Sequence, residues 1–487
     1  MRWNLVIIVV LTFLLGVVGR LVLRPTRLNV VLITIDTQRA DRLGCYGYAK
    51  AKTPNLDTFA SEGVRFTNAF CDVTWTTPSM ASVMTGQYAA HHGMRSTYQQ
   101  LNPSLQTLAE ILKKQGYHTA AVIGSFPLDS VFGLDQGFDE YDDRFTEPIV
   151  TGGDVIEHQE VPSTFSQNVD EQRLFQFLKA QGDAYRPDDQ VSDAAIQWLN
   201  NRRRGPFFLW VHYFGPHELA DTRLSFGEQN KRIIDGYDGD VERTDHEVGR
   251  FLNAIDQAGL RRETLVIIHA DHGQSLGEHD YVGHGRRVYD PTMHIPLLMR
   301  APGRVPSDRV VNDLVRNIDI LPTILDLTGI APARQVDGSS MRPTWEADRG
   351  KSPPREAYVE TYLSATDAFA EPVSIPGQPD ARVGIRRRGV RTLQWKLVVI
   401  EPWQLLDYSS PPPIPPEAEA QVGRVKLFNL IDNPEEDDER LVVDHPEVVA
   451  SLRAKIEALA GAQGAAEQRR DLSDADKERL RGLGYMH

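Results

Sequence analysis

The sequence predicts an α/β protein: a doubly wound mixed sheet flanked by helices, followed by a smaller C-terminal subdomain with an antiparallel sheet. Three observations predict it. Residues 28–36, 118–124, 206–211, 264–273 and 295–300 are short, nearly continuous apolar runs, the pattern of strands buried on both faces. Helical patterns at 191–200, 237–258 and 318–328 alternate with them, as in sheets wound with crossover helices. After about residue 345 the pattern changes to short strands at 357–362, 382–400 and 425–429, closed by a helix at 447–459. The expected divisions are 1–24 as a signal anchor or signal peptide, 28–345 as the α/β domain and 346–487 as the C-terminal subdomain.

The first buried run ends in Asp36, and the run at 264–273 contains Asp271-His272 at its end. Ligands of open α/β sheets gather beyond the carboxyl ends of the strands, so both acids stand where chemistry is expected. A polar turn follows Asp36, and Pro54 opens a helix through about Glu62 before a strand at 64–66. In the stretch 75–86, Pro78 suits the first turn of a helix and Gly86 its end. Thr76 is therefore expected just before a helix N-terminus, where free N–H groups and the helix dipole favour an alkoxide, sulfate or phosphate. The same run also fits an ordinary helix cap. A helix at 104–115 precedes the second buried strand. Residues 142–183 lack periodicity, as a disordered loop or a lid would. His217 follows the third strand, and Glu278, His279, Asp280 and His284 lie in the loop after the fourth. The prolines at 411–416 read as a rigid linker, and 469–481 as a charged tail.

At 487 residues the chain exceeds one small core, and its net charge of −14 argues against a nucleic-acid partner. Cys45 and Cys71 are the only cysteines, which excludes a disulfide framework or a cysteine-rich metal site. Residues 5–18 are nearly all apolar and the run extends to Leu23, slightly short of the roughly 20 residues a spanning helix needs. Arg20, Arg24 and Arg27 after it, against Arg2 before it, do not favour export. Val17-Val18-Gly19 is small enough for signal cleavage. A signal anchor with an extracytoplasmic domain, a cleaved signal peptide and a cytoplasm-facing anchor stay open. The first is the expectation, with the membrane as partner through the N-terminal segment.

Two strand-end carboxylates and an imidazole suit one divalent ion: Mn²⁺, Zn²⁺, Ca²⁺ or Mg²⁺. Either acid alone also fits a helix cap; together they favour the metal. His217 and His284 each sit in a loop, a position equally ordinary for a surface histidine.

These residues carry a resemblance. Residues 35–48 and 53–57 are similar to the start of the catalytic domain of the sulfatase family, in the alkaline phosphatase superfamily. Residues 76–79 with Thr85-Gly86 resemble its nucleophile motif, and Pro216-His217, Asp271-His272-Gly273 and residues 276–279 match in order and spacing. Residues 426–434 and 480–485 resemble its C-terminal pieces, so the resemblance covers nearly everything from residue 28 onward. It implies an alkaline phosphatase-like fold, with 28–345 as the catalytic domain. It also implies Asp36, Asp271 and His272, with the Thr76 oxygen, as metal ligands. Thr76 falls at the nucleophile, His217 at an active-site histidine, and His284 or nearby Arg286 at a cationic substrate contact.

The chain departs from the classical pattern in three places. Threonine stands at Thr76, where a cysteine or serine is converted to formylglycine, and its Cβ methyl forbids the aldehyde. Met80 replaces an arginine, and Thr37 replaces the second acid of an Asp-Asp pair. The expected function is a metal-dependent hydrolase or transferase acting on sulfate or phosphate esters through a threonine nucleophile. The departures keep open a phosphotransferase or phosphodiesterase of the phosphoethanolamine or glycerol phosphate transferase type, and a non-catalytic binding protein. A saccharide, a lipid head group and a small metabolite are all open as the ester's carrier.

Overall fold

Strand β1 (Asn29–Ile35) lies in the middle of the main sheet, and each of its residues is buried. In the computed structural model the described residues are 27–96, 99–146, 184–217, 226–331, 336–346, 354–363, 373–375, 378–381, 384–403, 424–437, 441–461, 468–469 and 476. The expected N-terminal apolar segment, the proline run at 411–416 and most of the 142–183 and 469–481 stretches lie outside them. Among the described residues no helix is long and apolar enough to cross a membrane.

The other main-sheet strands are β2 (Val64–Phe70), β3 (His118–Val122), β4 (Glu140–Asp142), β5 (Phe207–Tyr213), β6 (Thr264–Ala270), β7 (His294–Ile295), β8 (Leu297–Arg300) and β9 (Arg309–Arg316). Their order is β7-β2-β8-β6-β1-β5-β3-β4, with β9 also on β2. β1 runs parallel to β5 and β6, whereas β8 runs antiparallel to β6 and β2, so the sheet is mixed.

Period-2 alternation along β1 divides the helices into two layers. Val31, Ile33 and Ile35 face α1 (Pro54–Ser61), α4 (Asp188–Asn201) and α5 (Phe226–Gln257) through Phe59, Val191 and Phe251. Val30 and Leu32 join the core that holds α2 (Thr76–Thr85), α3 (Leu108–Lys114) and α6 (Ile320–Thr328) through Met80, Leu112 and Ile324.

The second sheet is antiparallel, in the order β10 (Ala357–Leu363), β11 (Gly384–Arg391), β12 (Trp395–Trp403), β13 (Val425–Asn429). Helix α7 (Pro446–Ala460) covers one face with Leu452 and Ile456 against Leu397 and Leu427. Val398 and Phe428 on the other face join the main core.

The sequence reading needs local correction. The run at 295–300 is two strands broken at Pro296, which has no N–H to give a ladder. β9 was not anticipated: a register shift between Val311 and Leu314 breaks its alternation. The helix expected from 104 begins at Leu108, because Thr107 and Glu110 form a capping box there.

Candidate active site

Three neighbouring strands bring three titratable groups together. Ile35 pairs with Ala270 across β1 and β6, so Asp36 and Asp271 emerge side by side, and His212 pairs with Thr34 across β1 and β5. Donor atoms of Asp36, His212 and Asp271 all lie within 4.8 Å of one another, and all three residues are fully buried. Both oxygens of Asp36, Oδ2 of Asp271 and both ring nitrogens of His212 have no hydrogen-bond partner among the described residues. Such groups are costly to bury without a partner. Asp271 is held by its other oxygen, which accepts from the N–H groups of Thr37 (3.1 Å) and His272 (2.8 Å). Burial first, and then the Asp271 charge, push the Asp36 carboxyl well above its ordinary pKa. Burial likewise lowers His212 to about 4. A cation reverses both effects, and two carboxylates with an imidazole form a donor set that fits one divalent ion.

His212 is the residue that sequence reading passed over. It ends the third apolar run as Asp36 ends the first, but a histidine inside an apolar run reads as core until its neighbours are known.

Thr76 is the first residue of α2, not the residue before it. Trp75 holds the cap position, without a side-chain cap bond. The Thr76 hydroxyl instead lies 3.1 Å from His272 Nε2. His272 Nδ1 is 3.0 Å from the Gly273 carbonyl, which can only accept, so Nδ1 carries the proton and Thr76 donates to Nε2. The same Nε2 lies 3.5 Å from Asp271 Oδ2 and 4.0 Å from Asp36 Oδ1. Ser79 on the next turn donates to the Asp271 carbonyl at 2.7 Å, tying α2 to the end of β6.

The other two histidines complete the cluster. His284 Nδ1 faces the Thr74 carbonyl at 3.2 Å, which makes its Nε2 the acceptor, and His217 Nε2–H donates to it at 3.1 Å. The His284 ring centroid is 4.5 Å from that of His272, and His217 stacks on Phe214 at 4.7 Å. Burial lowers His217 to about 4 and His284 well below its ordinary value, so the pair is neutral at neutral pH. Gly285 keeps the loop close: its φ is +83°, and a Cβ there would sit 2.3 Å from the Trp75 ring. Arg286, the alternative cationic contact, follows directly, with its carbonyl held by Arg387 Nη1 at 2.8 Å.

The departures from the classical pattern have structural explanations. Thr37 is in the left-handed region (φ 55°), and its hydroxyl donates to the Pro216 carbonyl at 3.0 Å. It thus ties the Asp36 turn to the His217 loop. Met80 is fully buried and packs in the main core.

The carboxyl edge of a mixed, helix-wrapped sheet is where alkaline phosphatase-like ester hydrolases carry their chemistry, and this chain is of that class. Within it, the chain belongs to the sulfatase family: residues 28–330 match that family, and 277–418 match the C-terminal region of N-sulphoglucosamine sulphohydrolase. It is 23% identical to an N-acetylglucosamine-6-O-sulfatase of Bacteroides thetaiotaomicron, over 79% of this chain and 81% of the relative. It is 30% identical to arylsulfatase A of Homo sapiens, over 69% and 70%. The crystal structure of a phosphonate monoester hydrolase of Agrobacterium radiobacter superposes with a TM-score of 0.65 at 19% identity, covering 92% of this chain and 98% of that one. Sulfatase family members bind a divalent metal, and the Asp36, His212 and Asp271 cluster is a possible site for one here.

Proposed function

We propose that this protein cleaves a sulfate or phosphate ester through Thr76. The observation that carries the reading is the Thr76 hydroxyl at the start of α2, 3.1 Å from His272 Nε2 and beside the buried carboxylates of Asp36 and Asp271. Asp36, Asp271 and His272, with the Thr76 oxygen, would hold the ion, and His212 adds a further buried nitrogen. A divalent ion bound there supplies the positive charge that acidifies a hydroxyl and balances an anionic ester. Thr76 Oγ1 loses its proton to solvent and bonds to sulfur or phosphorus, the bond from that atom to the alcohol oxygen breaks, and the alcohol leaves with a proton. The positive end of the α2 dipole favours the anionic group. His217 and His284 stand on the other side as a hydrogen-bonded pair, and an anionic ester beside them raises their proton affinity, so that His217 can protonate the leaving oxygen. An oxygen of water or of an acceptor alcohol then loses its proton and bonds to the sulfur or phosphorus, the bond from that atom to Thr76 Oγ1 breaks, and Oγ1 regains a proton.

The names of the relatives support a sulfated saccharide as carrier of the ester. A phosphate ester, and with it a transferase of the phosphoethanolamine or glycerol phosphate type, is favoured by Thr76 itself, which cannot form the aldehyde, and by Thr37, whose hydroxyl is engaged with Pro216. Acid quench during turnover, followed by peptide mass analysis, tests the mechanism and separates the two chemistries. The expected result is a sulfate or phosphate adduct on the Thr76 peptide. Turnover with that peptide unmodified would overturn the nucleophile, and bound metal without turnover on any ester would leave a binding protein.

We also read 28–345 as the catalytic domain and 346–487 as its C-terminal subdomain. The chain is read as membrane-anchored with an extracytoplasmic site. Support comes from the apolar sequence at 5–18 and from β1, which enters the sheet at the edge opposite Asp36. Protease accessibility of the full chain in intact cells tests this, since protection from added protease would overturn the topology.

A further inference from the structure

The amino edge of the main sheet, opposite the candidate site, carries a broad groove of about 1540 Å³. Leu28 and Asn29 at the start of β1, Pro206 just before β5 and Glu263 just before β6 line it. These are the parallel strands whose other ends bring Asp36, His212 and Asp271 together. Leu28 and Asp36 stand eight residues apart along β1, roughly 26 Å at about 3.3 Å per residue.

Six arginines line the groove: Arg27, Arg202, Arg203, Arg204, Arg304 and Arg342. Of the three acids among them, Asp326 and Glu346 pair with Arg342, at 3.4 Å and 2.7 Å. Among the described lining residues, five arginines are then left beside Glu263. The turn from α4 into β5 supplies three of them: Arg202 donates to the Leu199 carbonyl and lies over the Phe207 ring, whereas Arg203 and Arg204 are exposed. Arg304 is exposed and donates to the Leu327 carbonyl at 3.3 Å, in the last turn of α6. Arg27 donates to the Gln115 carbonyl. These carbonyl contacts orient the side chains without cancelling their charge. The chain carries −14 overall, so an anionic surface repels it except where its cations gather.

The sequence that leads into this edge indicates the partner. The apolar run from residue 5 to Leu23 ends four residues before Arg27, a reach of at most roughly 14 Å. A segment embedded in a bilayer would hold this edge beside the head groups, whose phosphates are the groups that guanidinium forks bind. We propose that the arginine groove is the membrane-contacting face of the protein, that it lies on the phosphates of anionic phospholipids, and that it turns the Asp36 edge away from the bilayer. The inference rests on the reading of the N-terminal run as membrane-embedded and goes beyond it. It also narrows the carrier of the ester, which reaches Thr76 from the aqueous side and is not a lipid head group of the same bilayer.

The test uses the full chain reconstituted in vesicles of phosphatidylcholine, alone or with phosphatidylglycerol, and reads amide hydrogen exchange. Residues 202–206 should exchange at least about threefold more slowly in the anionic vesicles, an effect that high salt removes, while residues 278–286 near the candidate site exchange alike in both. The triple variant Arg203→Ala, Arg204→Ala, Arg304→Ala should lose the slowing and keep the turnover of a soluble aryl ester. Equal exchange at 202–206 in the two kinds of vesicle overturns the arginine face. Slowing at 278–286 instead, or turnover of a sulfated or phosphorylated lipid in the same vesicle, overturns the orientation. Alkaline carbonate extraction separates this proposal from the anchor on which it rests. If carbonate releases the chain, the embedded segment is refuted; slowing at 202–206 that is still seen on anionic vesicles supports the arginine face as a peripheral contact, and release without slowing refutes both.

Discussion

The cluster around Asp290 is largely buried and the one around Asp36 fully so, and both are built on carboxylates, yet among the described residues the first alone is closed by cationic side chains. Asp290 takes Arg391 at 2.9 Å and Lys396 at 3.0 Å, and Lys396 also reaches Glu436 at 2.7 Å. Those cations hold the Asp290 carboxyl well below its usual range against the effect of burial. At the carboxyl edge of the main sheet, Asp36 faces Asp271 and a low-pKa His212, and its carboxyl is pushed the other way. The Asp290 cluster joins the main sheet to the second one, and its task is complete once the chain is folded. Among the described residues no lysine or arginine pairs with Asp36 or Asp271, and burial and like charge act on Asp36 unopposed by such a cation.

That contrast can be broken by substitution. Thr76→Ala should lower turnover at least about 10³-fold, the scale of losing a nucleophile. The thermal midpoint should stay within about 1 °C, because the fully buried side chain loses only a hydroxyl and a methyl. Retained turnover would remove Thr76 from the chemistry. Lys396→Met should do the reverse, destabilising the protein by about 3 kcal/mol through the unpaired acids it leaves. Urea unfolding reads the loss, and kcat of the folded fraction should move little; a neutral Lys396→Met would mean that Arg391 alone closes the cluster.

A third buried group, His92, is closed by neutral hydrogen bonds. Its Nδ1 accepts from the Met94 N–H at 3.1 Å, and its Nε2–H donates to Ser82 at 2.9 Å. Burial lowers it to about 3. The unfolded chain, with a pKa near 6.5, binds the proton first, so the contribution is complete above about pH 6.5 and is lost as pH falls towards 3. At pH 5 the loss is about 2 kcal/mol. Urea midpoints at pH 7.5 and 5 should therefore diverge more in wild type than in His92→Gln, and parallel losses would refute the assignment. Smallest of all, Asp36→Asn should stabilise metal-free protein by about 1 kcal/mol by removing a buried like charge, while abolishing any rise in thermal midpoint on adding Mn²⁺, Zn²⁺, Ca²⁺ or Mg²⁺. A midpoint that still rises with metal would show that Asp36 is not needed to hold it.

Much of this edge was legible because strands buried on both faces leave an unbroken apolar record, and an acid at the end of such a run stands out. Asp36 and Asp271-His272 were found that way, and the last strand of the second sheet has the expected bounds, Val425–Asn429. His212 was not, because its place depends on β5 lying beside β1 in a particular register. Nor was the position of Thr76 inside α2: the Thr-Pro signal marks a helix start, but Trp75 holds the cap position and the threonine hydroxyl lies against His272 instead.

By itself the sequence determined the alternation of strands and helices, the acids that end two of the strands, and the family signature, since all of these are written in residues near one another in the chain. Tertiary structure alone decided that residues 36, 76, 212, 217, 271, 272 and 284 share one space, that Thr37 braces the His217 loop, and that Arg387 and Lys426 line one cavity. Those facts depend on strand order and register, which are set by which apolar faces pack together across hundreds of residues, and a local pattern carries no trace of its distant partner.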